Sequence, residues 1–264
     1  MKPKIILFDL KNEFLPLAGL PEVLYFFWDD LRDNILRNIS VPLEMWLNIL
    51  SEIFGYLYLL IPSRNLLLDQ IKALFTKWGF TGGEEPCPTL IDLYNFLLEL
   101  HPPGFSRTRG YLEAVLNRIS GLINTARPVF NADKGFHTPE LLKHHLIIGM
   151  GGLYTEARNF IIMVLMARVY LLKLYNCPRG EKLSTLFIID EASSIFRRSY
   201  ELNESPYFLS QIVQTARDFG IGFIFSAQSL SDLSHVIQAN TDYKILVGGL
   251  GLGNDWDQFA RLVL

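Results

Sequence analysis

Two adjacent carboxylates, Asp190 and Glu191, directly follow the apolar run in residues 185–192 (TLFIIDEA). A compact apolar run predicts a buried strand, and acids at its end lie at the sheet edge where open α/β sheets bind ligands. Asp190 suits Mg²⁺, bound directly or through water, and Glu191 can orient or deprotonate an attacking water. The pair indicates metal-assisted phosphoryl transfer. The plain alternative is a strand that ends in two acids without a chemical role.

Two polar residues around the next apolar run, residues 222–226 (GFIFS), could take part in the same chemistry. Gln228 follows this run and could hydrogen-bond a γ-phosphate or the attacking water, or it could only cap a turn. Arg217 precedes the run and could act as an arginine finger, or it could simply stabilise a helix end, where a cation is favourable. Both catalytic interpretations gain weight because the two residues follow the acid pair in the same stretch of chain.

The elements that must position these side chains alternate between strands and helices. Compact apolar runs predict strands at residues 4–9, 23–27, 146–150, 186–189, 222–226 and 244–247. Apolar residues at three- and four-residue spacing predict helices at residues 29–39, 43–60, 64–78, 89–100, 106–124, 155–175, 206–219 and 231–238, and another from residue 254. Thr89 and Ser106 are the expected N-caps of two of these helices. Strands that alternate with helices predict a mainly parallel sheet.

The strand-free block from residue 29 to residue 136 divides the predicted α/β core. The core therefore comprises residues 1–28 and 137–264, and residues 29–136 form an all-helical insertion. We expect the near-continuously apolar strands of the core to be buried on both faces.

The composition excludes several classes of protein. The chain has 24 Lys and Arg against 27 Asp and Glu, so it lacks the basic excess of many nucleic-acid binders. Its two cysteines and five histidines form no spacing typical of a zinc site or a disulfide framework. The lack of a disulfide framework favours a reduced, cytoplasmic setting. Two apolar stretches, residues 41–62 and 160–175, are too short or too interrupted by charge for a membrane span and are interpreted as buried or half-buried helices.

Several of these motifs together resemble one known superfamily. The segments IIDEAS, QTARDFGIGFIFSAQSLSDL and KILVGGL resemble the second half of the HerA/FtsK superfamily of P-loop ATPases, which includes type IV secretion coupling and VirB-type ATPases. IILFDLKNEF resembles the superfamily's strand that ends in an Asp followed four residues later by a Glu, here Asp9 and Glu13. The resemblance implies a RecA-like α/β fold, a mainly parallel sheet with helices on both faces interrupted by an all-helical insertion.

The resemblance also implies ATP and Mg²⁺ as cofactors and a role for each candidate residue. Asp190 would position Mg²⁺, Glu191 would activate water, and Gln228 would report the γ-phosphate. Arg217 would reach into a neighbouring subunit's site in a hexameric ring. The two acids after the first strand would bind cofactor at the same sheet edge.

The implied activity is ATP-driven DNA translocation. It would take place in the cytoplasm, at the inner face of the membrane through regions outside this chain and with membrane-associated partner proteins. Two alternatives stay open: a non-catalytic scaffold with a relic ATPase fold, or a secretion ATPase that translocates protein.

One hallmark of the superfamily is absent from this sequence, the phosphate-binding loop GxxxxGK followed by Ser or Thr. The glycine-rich segments at residues 149–152 and 248–253 lack the required lysine and are interpreted as turns where the backbone packs tightly. The first strand of the fold, which carries this Walker A loop, is therefore also expected to be missing. We expect a chain that acts as part of a longer motor and is inactive by itself. The other interpretation is a complete protein that has lost the loop.

Overall fold

A single parallel sheet organises the protein. The computed structural model describes residues 2–38, 40–58, 63–83, 85–104, 106–196, 207–245 and 247. Five strands lie in the order β2-β3-β1-β4-β5, and every neighbouring pair is parallel. The strands are β1 (Lys4–Asp9), β2 (Val23–Phe27), β3 (His145–Gly149), β4 (Glu181–Ile189) and β5 (Phe219–Phe225).

The central strand, β1, owes its place to four consecutive apolar residues. Such a run is stable only where both faces of the sheet are covered, and the end of β1 is buried throughout. Asp9 pairs with Gly149 of β3, and Phe8 pairs with Ile189 of β4. The carboxyl ends of these strands are therefore level, and the loops that follow them share one edge of the sheet.

Helices fill the chain between the strands. They are α1 (Leu43–Tyr58), α2 (Arg64–Trp78), α3 (Leu90–Leu98), α4 (Arg107–Phe130), the short α5 (Thr138–Leu141), α6 (Thr155–Asn176), α7 (Tyr207–Thr215) and α8 (His235–Asn240). No helix in the described ranges is long and apolar enough to cross a membrane.

Four of these helices, α1 to α4, lie between β2 and β3 in the chain and pack against the core through α6. The ring of Phe160 on α6 lies 4.7 Å from that of Phe54 and 6.0 Å from that of Phe130, measured between centroids. Buried residues of α1 to α4 therefore belong to the same hydrophobic cluster as the buried strands.

Side-chain caps begin two of the inserted helices, as the sequence predicts. The Thr89 hydroxyl accepts from the backbone N–H of Asp92, whose carboxylate accepts in return from the Thr89 backbone. The Ser106 hydroxyl accepts from the N–H of Arg109. These bonds satisfy backbone donors that have no partner within the first turn of a helix.

The predicted helix at residues 29–39 is wrong, because residues 29–38 contain turns and irregular backbone but no helix. The reason is a set of distant partners. The Arg168 guanidinium on α6 donates hydrogen bonds to the backbone carbonyls of Asn34 and Arg37. The side-chain amide of Asn34 donates to the carbonyls of Cys87, Pro88 and Asp133. Carbonyls bound in this way are not available for a helical ladder.

The predicted strand at residues 244–247 is also wrong. Its described residues form no ladder, and Tyr243, Ile245 and Val247 are exposed. A strand needs a partner for its backbone groups. In the described part of the chain β5 pairs with β4 alone, and its Ile224 is half exposed. The helix predicted from residue 254 and the glycine-rich segment 248–253 lie outside the described residues.

Candidate functional site

Asp190 is held at the carboxyl edge of the sheet by the ends of two strands. Its Oδ1 accepts from the backbone N–H of Glu191 at 2.9 Å and from the hydroxyl of Ser226, which follows β5. The backbone N–H of Ser226 donates to the carbonyl of Ile189 at 3.0 Å, and the N–H of Ala192 donates to the carbonyl of Ser226 at 2.8 Å. Both bonds that Asp190 accepts from the described residues end on Oδ1, so none of those residues occupies Oδ2.

The next residue, Glu191, has a left-handed backbone with φ 47° and ψ 44°. Such a conformation is uncommon for a residue with a side chain, costs about 1 kcal/mol and clusters at functional sites. A 3₁₀ turn, Ala192–Ser194, follows it. The Glu191 side chain is 31% exposed, and its Oε1 lies 3.9 Å from Nζ of Lys11 in the loop after β1. The turn thus leaves the Glu191 carboxylate accessible next to Asp190.

The N-terminal part of α6 contacts this acidic turn. The buried Asn159 donates from Nδ2 to the carbonyl of Ser194 at 2.8 Å, and the Ser194 hydroxyl bonds back to Oδ1 of Asn159. Burial lowers the pKa of Arg158, while the carboxylates of Glu191 and Asp190 act to raise it. A guanidinium therefore lies within electrostatic reach of both acids. Sequence reasoning missed Arg158 and Asn159; their only signal is polarity within the apolar helix TEARNFIIMVL.

Asp9 occupies the equivalent place on β1 but is engaged by the protein itself. It is 1% exposed; Oδ1 accepts from the N–H of Glu13 at 2.9 Å, and Oδ2 accepts from the N–H of Phe14 at 2.8 Å and the Tyr25 hydroxyl at 3.1 Å. Burial, followed by the hydrogen bond to Asp9, raises the pKa of Tyr25 to about 12. Asp9 thus shapes the turn on which Glu13 is exposed, and a direct role for either residue in cofactor binding stays a prediction.

The glycine-rich turn after β3 packs tightly against this loop. A Cβ atom on Gly149 would lie 2.5 Å from the Tyr25 hydroxyl, and one on Gly151 would lie 2.5 Å from Nδ2 of Asn12. The N–H of Gly151 donates to Oδ1 of Asn12 at 3.1 Å. Close backbone approach therefore accounts for these glycines, as the sequence interpretation holds.

The structure separates the two remaining candidates. Gln228 is exposed three residues beyond β5, on the same edge as the acids, and makes no hydrogen bond to them. Arg217 lies in the 3₁₀ turn that precedes β5, on the opposite edge. It is 87% exposed, with Nη1 3.6 Å from Oδ2 of Asp242. The seven residues of β5 span about 20 Å, so Arg217 is remote from the acids of its own chain.

A magnesium ion would find few protein ligands here. No group of three His, Cys, Asp or Glu residues suited to a metal occurs within the described ranges. Mg²⁺ commonly binds one or two carboxylates and completes its shell with water and substrate phosphates, so it does not require such a group. The open Oδ2 of Asp190 fits that mode of binding.

Comparison with known proteins identifies solved structures with a similar fold. No protein-family model matches the chain, and no curated protein matches its sequence. Among solved structures, VirB4 of Thermoanaerobacter pseudethanolicus superimposes with a TM-score of 0.67 at 17% identity, over 99% of this chain and 73% of that one. The unbound bacterial conjugative coupling protein TrwB superimposes with a TM-score of 0.58 at 16% identity, over 90% of this chain and 60% of that one.

This chain has the fold of the VirB4 and TrwB structures. The expected RecA-like α/β architecture with a parallel sheet is thereby confirmed. TrwB bound to the ATP analogue ADPNP matches comparably, with a TM-score of 0.56 at 17% identity. The chain spans about 60% of the TrwB chain's length.

Proposed function

We propose that this chain is the acid-bearing part of an ATP-hydrolysing motor of the conjugation or type IV secretion kind. The observation that carries the proposal is Asp190, with one open carboxylate oxygen, beside an accessible Glu191 at the carboxyl edge of a parallel sheet. The structures of TrwB with ADPNP and with ADP and Mg²⁺ support the choice of nucleotide and metal. The phosphate-binding loop, which the sequence lacks, would come from another segment of the motor.

In this motor each acid has a separate task. Asp190 would hold Mg²⁺ with Oδ2, while its Oδ1 is fixed by the backbone N–H of Glu191 and the hydroxyl of Ser226. The metal would neutralise charge on the transferring phosphoryl group. Glu191 orients the attacking water and accepts its proton. Lys11 and Arg158 place positive charge beside the two acids.

The two outlying candidates fit different subunits of the motor. Gln228 contacts the γ-phosphate from the same edge as the acids. Arg217 is exposed on the opposite edge, so it serves the site of a neighbouring copy rather than its own. This division supports a homo-oligomeric ring, proposed as a hexamer that moves DNA at the cytoplasmic face of the membrane.

The test is ATP hydrolysis by the polypeptide that joins this chain to its phosphate-binding loop. Glu191→Gln keeps the size of the side chain but removes the base, and we expect kcat to fall about 100-fold or more with nucleotide affinity retained. Glu113→Gln, at an exposed ion pair on α4, is the matched control and should leave kcat unchanged. Unchanged turnover in Glu191→Gln would refute the role assigned to Glu191.

A further inference from the structure

A small cavity lies where the chain passes between the core and the inserted helices. Its volume is about 50 Å³, and it is lined by residues 37, 38 and 40 on the way into α1, by residues 134–138 after α4, and by Arg168 of α6. These are the two crossings that connect α1 to α4 with the rest of the fold. A ligand held here would contact both crossings at once.

The walls of the cavity are held by buried polar contacts. Arg168, which is 3% exposed, donates to Oδ1 of Asp33 at 2.5 Å and to the carbonyls of Asn34 and Arg37 at 2.7 and 2.8 Å. Gly135 has φ 69°, and a Cβ atom there would lie 2.6 Å from the backbone nitrogen of Asn34. The two crossings are therefore in direct contact beside the cavity.

Two buried donors on residues that line this cavity have no acceptor in the described part of the chain. Asn38 is 7% exposed, and its Oδ1 accepts from the N–H of Ser40 at 3.0 Å, which identifies Nδ2 as the other end of the amide. Nδ2 of Asn38 and Nε of Arg168 are buried without a hydrogen-bond partner among the described residues. Buried donors are rarely left in this state in native proteins. Both atoms are shielded from water, so the acceptor oxygens of a ligand would satisfy them once the Asn38 and Arg168 side chains turn toward the cavity.

The charge and size of the cavity indicate which class of ligand it can hold. Its lining includes Arg37, Lys134 and Arg168 and, within the described ranges, no carboxylate. Asp33, behind Arg168, offsets one of these charges. The cavity has room for about three to five waters, close to the bulk of one tetrahedral oxyanion. Arginine and lysine are the usual protein ligands of phosphate.

From these observations we propose that the cavity binds a phosphate group, either as free phosphate or as the terminal phosphate of a nucleotide. Asn38 and Arg168 donate to its oxygens, and Lys134 supplies charge at the mouth. A bound phosphate bridges the two crossings and stiffens the attachment of α1 to α4. The site is separate from the acids at the sheet edge and does not depend on hydrolysis there.

Thermal unfolding of the whole chain tests this site with inorganic phosphate as the probe, at constant ionic strength set by chloride. A ligand that binds only the folded state raises the unfolding midpoint, so we expect a saturable rise. Asn38→Asp keeps the side-chain size but replaces the buried donor with a carboxylate, which should weaken the phosphate Kd about tenfold or more.

A second variant keeps the test independent of folding. Lys134 is exposed, so Lys134→Ala should fold normally and still weaken phosphate binding, whereas Lys143→Ala, an exposed lysine outside the cavity, should not. A parallel titration with ADP separates the two sources, since tighter binding of ADP that Asn38→Asp also weakens indicates a nucleotide phosphate. No saturable rise, or an equal rise in wild type, Asn38→Asp and Lys134→Ala, would overturn the proposal.

Discussion

Asp9 and Asp190 end adjacent strands at the same edge of the sheet, yet their surroundings differ. Asp9 is buried, and both of its oxygens accept hydrogen bonds, three in all. Asp190 is partly exposed, and both bonds that it accepts from described residues end on one oxygen. Position at the edge is therefore not enough for a carboxylate to bind a ligand. An oxygen that no other group occupies is also needed, because only there can a metal or substrate reach the carboxylate.

Removal of the two side chains should have unequal effects on stability. Asp9→Ala leaves two backbone N–H groups and a half-buried hydroxyl without their protein acceptor, and we expect it to lower the unfolding free energy by about 3 kcal/mol. Asp190→Ala should cost less than about 1 kcal/mol, because water can replace the carboxylate at its donors. Urea denaturation measures the unfolding free energy of both variants. Equal losses in the two variants would contradict the difference between the surroundings of Asp9 and Asp190.

The packing around Asp9 should be nearly as sensitive. Gly149→Ala places a methyl group against the Tyr25 hydroxyl that donates to Asp9, and we expect a loss of about 2 kcal/mol from overpacking. Gly110→Ala on α4 is the matched control. It has open space around the new methyl group and should be neutral or stabilising by up to about 1 kcal/mol. Similar effects of the two substitutions in urea would argue against the close approach.

The smallest expected effect is confined to alkaline pH. The pKa of Tyr25 is raised from 10.0 to about 12 in the folded protein, so the folded state retains a proton that the unfolded state releases. The stability that this provides is complete below pH 10 and is lost as pH rises through 12. We expect the unfolding free energy to fall more steeply over this range in wild type than in Tyr25→Phe. Parallel slopes would show that the hydroxyl does not favour the folded state.

Local patterns predicted much of this comparison from sequence. The apolar runs before Asp9 and Asp190 specify buried parallel strands, and acids at their ends fall on the same edge. Local patterns could not predict which residues hydrogen-bond to each carboxylate. Tyr25 lies 16 residues from Asp9, and Ser226 lies 36 residues from Asp190. Only the folded chain shows which carboxylate is saturated.

The errors have the same physical origin. Residues 29–38 have a helical pattern of apolar residues, but their carbonyls bind Arg168, more than 130 positions away. Arg158 and Asn159 approach the acidic turn only because α6 packs against β5, whose carboxyl end adjoins that turn. The edge on which Arg217 lies was available from sequence, because a residue that precedes a strand lies at the amino edge, opposite the acids.

The most direct test of the metal site is the binding of Mn²⁺, a spectroscopic substitute for Mg²⁺, followed by electron paramagnetic resonance with ADP present. The protein is the polypeptide that joins this chain to its phosphate-binding loop. We predict that Asp190→Asn weakens Mn²⁺ binding about tenfold or more. Asp9→Asn, measured where it remains folded, should bind Mn²⁺ as wild type does. Wild-type affinity in Asp190→Asn, or an equal loss in Asp9→Asn, would contradict the assignment of the metal to Asp190.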